Sequence, residues 1–159
     1  MELRLAKMEE VEELFPFYQE IFDSPYTTWS EKYPTLDMLK RDCELKSLYV
    51  LTDGDEIIGS TVLIPENELE DLELGQLKDG TQREIGRLLI KTKYQGKGYV
   101  GEMVKRVEAL LKEQKAGALQ FLVAKRNIPA LKAYEKLGYK NMGTAFLYEG
   151  RYFLFEKLL

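Results

Sequence analysis

At 159 residues, with 45% apolar and 31% charged side chains, the chain is long enough to bury one ordinary core and too mixed to be disordered, collagenous or membrane-embedded. It holds no histidine and one cysteine, Cys43, which excludes an internal disulfide and argues against a zinc centre or a histidine triad, so no metal ligands are assigned and any base is a carboxylate, a tyrosine, a lysine or water. A net charge of −4 with acids and bases interspersed speaks against nucleic acid as a partner, and short apolar runs behind a charged start, "MELRLAKMEE", predict no membrane partner and a cytoplasmic location.

The opening "MELRLAK" alternates apolar and polar residues and predicts a strand. Val11, Leu14, Phe15, Tyr18, Ile21 and Phe22 then share one stripe of a helix that should pack on a sheet. "DSPYTTWSEKYPT" breaks that helix with two prolines and presents Tyr26, Trp29 and Tyr33. Leu36, Leu39 and Cys43 predict a second helix over about 35–46, with the thiol as an inert buried group. "SLYVLTDGDEIIGSTVLIP" reads as two strands joined at Asp-Gly, a hairpin signal. Residues 65–80 carry six acids and one lysine without a period and read as a loop. Glu66, Glu68, Glu70, Asp71 and Glu73 in it would attract a cationic amine, or serve simply as a wetted charge run.

"QREIGRLLIKT" predicts a long strand, and "KYQGKGYVGEMVKRVEALLKEQKAG" turns from a glycine-rich loop into a helix. Val100, Met103, Val104, Val107, Leu110 and Leu111 repeat there at helical spacing, and Gly117 stands where a helix end wants φ above zero. "ALQFLVAKR" is a further strand and "NIPALKAYEKLG" a short helix. The closing "YKNMGTAFLYEGRYFLFEKLL" is a strand pair turning near Gly150, whose apolar last strand is the candidate edge for a homodimer. The order β-α-α-β-β-β-α-β-α-β-β predicts one mixed α/β (α+β) domain over 1–159.

Within it, "GKGYVG" at 96–101 matches G-x-G-x-x-G literally. A dinucleotide fold needs its first glycine directly at a strand end and an acid about 20 residues on. Here five residues separate Ile90 from Gly96, and Leu119, Gln120 and Phe121 stand where the acid belongs. A kinase loop requires a histidine motif that this chain cannot supply, and the Walker pattern is absent. What remains is a bend rich in N–H groups feeding the positive end of a helix, which suits a pyrophosphate, unless the glycines only make a tight turn.

Two motifs together resemble the GNAT superfamily of acetyl-CoA-dependent N-acyltransferases. "QGKGYV" at 95–100 is similar to the family's Q/R-x-x-G-x-G/A, departing at Val100, where glycine or alanine is usual and a branched side chain would crowd the pyrophosphate. "NIPALKAYEKLGY" at 127–139 matches N-x-x-A-x-x-x-Y-x-x-x-G-F/Y through Asn127, Ala130, Tyr134, Gly138 and Tyr139. The resemblance covers roughly 80–150 closely and the N-terminal half in element order only. It implies a central, mostly antiparallel mixed sheet of about six to seven strands flanked by four helices, and acetyl-CoA as cosubstrate.

It further implies a set of residue roles. Gln95, Gly96, Lys97, Gly98, Tyr99 and Val100 would bind the pyrophosphate, Asn127 would open the second cofactor element, and backbone at Leu88, Leu89 and Ile90 would hold the pantetheine arm and acetyl group where two strands splay. Tyr134 would protonate the leaving thiolate, since a phenol of pKa about 10 stays protonated while a thiol of about 8.5 departs. Glu84 is the candidate base, placed by period two on one strand face with Gly86, Leu88 and Ile90. Tyr26, Trp29 and Tyr33 would form the wall for an amine acceptor, a small molecule or a protein. Two other readings stay open on the residues: a non-catalytic acyl-CoA-binding regulatory module, and a nucleotide-dependent oxidoreductase resting on the glycine string.

Overall fold

A computed structural model describes residues 1–65, 69, 72–148 and 150–159; Glu66, Glu68, Glu70 and Asp71 of the acidic run lie outside them. The elements are β1 (Glu2–Leu5), α1 (Met8–Gln19), α2 (Leu36–Glu44), β2 (Leu48–Asp53), β3 (Glu56–Leu63), β4 (Gln82–Ile90), α3 (Tyr99–Glu113), β5 (Ala118–Ala124), α4 (Ile128–Lys136), β6 (Lys140–Leu147) and β7 (Gly150–Leu158). They follow the predicted order. The strands form one sheet in the order β1-β2-β3-β4-β5-β7-β6. Only β4 and β5 run parallel; every other neighbour is antiparallel.

Each face of the sheet is covered by a different pair of helices. Val11, Leu14 and Tyr18 of α1 and Leu39 of α2 pack on Val50, Val62 and Leu89, so the apolar stripe seen in the sequence meets the sheet as expected. On the other face Val104, Val107 and Leu111 of α3 pack with Tyr134 of α4 against Ile85, Leu119 and Phe121. β7 lies between β5 and β6 and pairs with both, so the last strand is interior; β6 is the sheet edge on that side.

The pairing of β4 with β5 is short. Gln82, Arg83 and Glu84 face Ala118, Leu119 and Gln120, and past that point the two strands are not paired, although β4 runs on to Ile90 and β5 to Ala124. The sheet therefore opens into a slot. β4 is also bent: Ser60 pairs with Leu89 but Val62 with Gly86, so β4 carries an extra residue at Arg87 and Leu88. Arg87 sits at φ +49, the backbone signature of a β-bulge.

That bulge corrects the period-two reading of β4. Ile85 and Leu88 both pack toward α3 and Leu89 packs toward α1, so the alternation changes phase and Glu84 shares its face with Gly86 but not with Leu88 or Ile90. Gly117 is corrected too. The left-handed residue ending α3 is Lys115, at φ +59, while a side chain at Gly117 would collide with Thr81 Oγ1 and Leu77 Cδ2. The glycine serves close approach there.

Candidate active site

Three sequence-adjacent pieces meet at the slot. After β4 a single 3₁₀ turn, Thr92–Tyr94, leads into Gln95, whose Nε2 donates to the Ile90 carbonyl at 3.1 Å. Gly96 and Gly98 follow at φ +74 and +84, conformations in which glycine carries little penalty. Gly98 is the N-cap of α3, and the first helical bond returns from Glu102 N to its carbonyl at 3.2 Å. Among the described residues, the N–H groups from Gly96 to Gly101 have no hydrogen-bond acceptor. Four or more amide hydrogens at the positive end of a fifteen-residue helix make a site matched to a pyrophosphate.

Val100 turns away from this row of N–H groups. Its side chain packs inward against the two clusters that contain Val104 and Met103, so only its N–H belongs to the loop. Tyr99 also turns inward, edge-on to Tyr94 with ring centres 5.8 Å apart. Lys97 remains exposed, its Nζ 6.0 Å from the Tyr94 ring. Leu89 and Ile90 are core side chains, 1% and 5% exposed; what they can offer a ligand is backbone along the unpaired side of β4.

On α4, Asn127 accepts from Ala130 N at 3.3 Å and so caps the helix. One face on, Tyr134 is buried against Phe121, ring centres 4.4 Å apart, in the cluster that also receives Leu88 and Val100. Burial alone raises its phenol pKa well above the ordinary value, so the group is a neutral donor at any physiological pH. The structure thus brings Tyr134, the end of β4 and the mouth of α3 into one packed unit.

The opposite face carries the acceptor-side candidates. Glu84 lies there beside Gln120 in the strand register, directly below the point where the strands part. Trp29 packs on Tyr18, 5.3 Å between ring centres, and Tyr33 accepts from Arg87 Nη1 at 3.1 Å. Tyr26 stands apart at 50% exposed. The α1–α2 loop reaches across the slot: Arg126 Nη2 donates to the Thr27 carbonyl, and Tyr152 OH donates to Thr28 Oγ1 at 3.0 Å.

Several residues here were not singled out by sequence reasoning. Asp42 accepts a two-pronged bond from Arg87 Nε and Nη2, each at 2.8 Å. Although burial pulls the other way, the Tyr33 hydroxyl and the Asp42 carboxylate hold the Arg87 pKa above its ordinary value. Glu156, 3% exposed, accepts from Gln76 N at 2.9 Å and from Gln120 Nε2 at 2.7 Å, fastening the β3–β4 loop over the sheet. A usable signal existed for Asp42: it falls three residues after Leu39, on the buried stripe of α2, where a carboxylate needs a partner.

A slot between splayed parallel strands, opened beside an anion-ready helix mouth, defines a class of acyl-carrier-dependent transferase. The Acetyltransferase (GNAT) family model matches residues 11–139, and the chain belongs to that family. No curated protein matches it significantly in sequence. Among solved structures it is similar to the PaiA N-acetyltransferase of Thermoplasma acidophilum in complex with coenzyme A, at 17% identity and TM-score 0.77, covering 99% of this chain and 98% of that one. An N-acetyltransferase from Staphylococcus aureus Mu50 aligns with TM-score 0.76 at 17% identity, covering 99% and 97%. An aminoglycoside acetyltransferase in complex with coenzyme A and kanamycin aligns at 0.74 and 19% identity, covering 98% and 93%. The chain is a GNAT enzyme that uses acetyl-CoA to acetylate an amine.

Proposed function

We propose that residues 1–159 form one catalytic domain that acetylates a primary amine of a small molecule or protein by direct attack, with the roles assigned as follows. The loop from Gln95 to Val100 binds the pyrophosphate through its amide hydrogens, and Asn127 shapes the neighbouring turn. The backbone of Leu88, Leu89 and Ile90 lies along the pantetheine arm and acetyl group. Tyr33 and Trp29, with Tyr26 at the rim, wall the acceptor, and Glu73 and its acidic neighbours attract it. The observation that supports this most is the row of N–H groups from Gly96 to Gly101 that have no acceptor among the described residues, beside the open β4–β5 slot.

Acetyl-CoA supplies an activated acyl carbonyl. Glu84 takes the proton that an ammonium of pKa about 10 must lose before nitrogen can attack. As the N–C bond forms and the C–S bond breaks, the electron pair of that bond leaves on sulfur and Tyr134 gives it a proton. The proton then shed by the new amide nitrogen restores the phenol through solvent. We place the enzyme in the cytoplasm; a homodimer would form through β6, the sheet edge beside β7.

Thiol release across a panel of amines, alongside calorimetry with acetyl-CoA and NADP, tests the reading. Acetyl-CoA should bind and NADP should not. Glu84→Gln should lower kcat/KM by about 10²-fold or more without changing coenzyme affinity. Turnover by Glu84→Gln at the native rate would remove Glu84 as the base, and silence of the native protein with every amine would favour a binding module.

A further inference from the structure

The bulge in β4 is held by more polar groups than a bend requires. Arg87 at φ +49 occupies a left-handed region that is unfavourable for a non-glycine residue. Tyr18, fully buried on α1, donates its hydroxyl hydrogen to the Arg87 carbonyl at 2.7 Å and stands 2.9 Å from Ser60 Oγ. Thr61 Oγ1 donates to the preceding carbonyl, that of Gly86, at 3.2 Å. The Arg87 side chain turns the other way, into the fork of Asp42, which is 5% exposed, while Arg87 Nη1 donates to the Tyr33 hydroxyl.

A set of this kind is a poor source of stability. A buried ion pair seldom outperforms packed apolar residues of the same volume, and a hydroxyl at the centre of an apolar stripe contributes only when fully bonded. It is a good way to fix geometry, because a planar guanidinium in a carboxylate fork has one orientation. What it fixes is the backbone immediately before Leu88, the stretch assigned above to the acetyl group. Rate depends steeply on such placement, since a shift of about 1 Å costs on the order of 10²-fold.

We propose that Tyr18, Asp42 and Arg87 are positioning residues for acetyl transfer: they lock the β4 bulge so that the backbone of Leu88–Ile90 meets the thioester carbonyl in one direction, and through Tyr33 they join that geometry to the acceptor wall. The inference rests on the assignment of Leu88–Ile90 to the acyl group.

The test uses S-acetonyl-CoA, a ketone analogue that cannot be cleaved, carrying ¹³C at its carbonyl, bound to the native protein, Tyr18→Phe and Asp42→Asn. In the native complex the carbonyl resonance should be displaced from its free-solution value. In both variants it should move back toward that value, with kcat lower by about 10- to 100-fold and the Kd for CoA changed less than about threefold, measured per folded molecule. Variants with the native carbonyl resonance, or whose lost activity follows the unfolded fraction alone, overturn the positioning role while leaving the acyl site intact. A native protein that binds no CoA overturns both.

Discussion

Tyr134 carries two separable contributions, a ring and a hydroxyl. The ring fills the core against Phe121 and Phe155, while the hydroxyl donates to no group among the described residues and its raised pKa has burial as its only cause. A hydroxyl that makes no protein hydrogen bond contributes little to stability. Tyr134→Phe should therefore leave the melting temperature unchanged or raise it, while kcat falls by about 10²- to 10³-fold. Thermal melts and thiol release on the same preparation check this, and a parallel loss of both would reduce Tyr134 to packing. The position of Tyr134 in the fold was legible because its signal is local: Asn127, Ala130, Tyr134 and Gly138 span one short helix and its two ends. Arg87, Asp42 and Tyr18 were not, because 45 and 69 positions separate Arg87 from its two partners, and only the folded sheet closes that distance.

At the level of elements, the ends carry more information than the middles. The stripe of α3 was readable from Met103 to Leu111, yet its termination was assigned to Gly117 on residue type, whereas Lys115 takes the left-handed position. Residue type reports tolerance, and exposed Lys115 is held in a costly conformation by the helix-end bonds Lys115 N to the Lys112 carbonyl and Ala116 N to the Leu111 carbonyl. Lys115→Gly should relieve that strain and stabilise by about 0.5–1 kcal/mol, a rise of about 1–4 °C in Tm by calorimetry. The start of α1 shows the converse. Glu10 accepts from Arg4 Nη1 and Nη2 at 2.8 and 2.9 Å and from Lys7 N at 2.8 Å, tying β1 to the first turn of the helix, and the Arg4 bond leads the causes that lower its pKa. Because the folded value lies below the unfolded one, this contribution is complete above about pH 4.3 and is lost as pH falls through the folded value. Glu10→Gln should cost about 1–2 kcal/mol at pH 7, and denaturant midpoints of the two proteins should converge in that acidic window; a gap constant down to pH 2 would contradict the linkage.

For the molecule as a whole, the sheet consists of two halves joined by three residue pairs at the foot of a slot. Element order predicted one mixed α/β domain, and the family resemblance implied a mixed sheet whose strands part near Leu88–Ile90; composition and periodicity alone carry neither, since strand pairing is a property of partners far apart in the chain. Across the slot the α1–α2 loop makes the bridges Thr27–Arg126 and Thr28–Tyr152, and a coenzyme lying from the mouth of α3 along β4 would make a second bridge. A ligand that binds only the native state stabilises it by RT ln(1 + [L]/Kd), about 2.7 kcal/mol at 100 times Kd, or about 5–10 °C for a chain of this length. Both CoA and acetyl-CoA should produce that shift, because the pyrophosphate and pantetheine contacts do not need the acetyl group. Hydrogen exchange should slow at 96–101 and along 85–90 and 121–124, the two walls of the slot, while β1 and β2 stay unchanged. Pantetheine lacking the phosphates should leave 96–101 unprotected, because the amide hydrogens there respond to negative charge. Protection by CoA confined to residues outside the slot would show that the opening between β4 and β5 is not where the coenzyme lies.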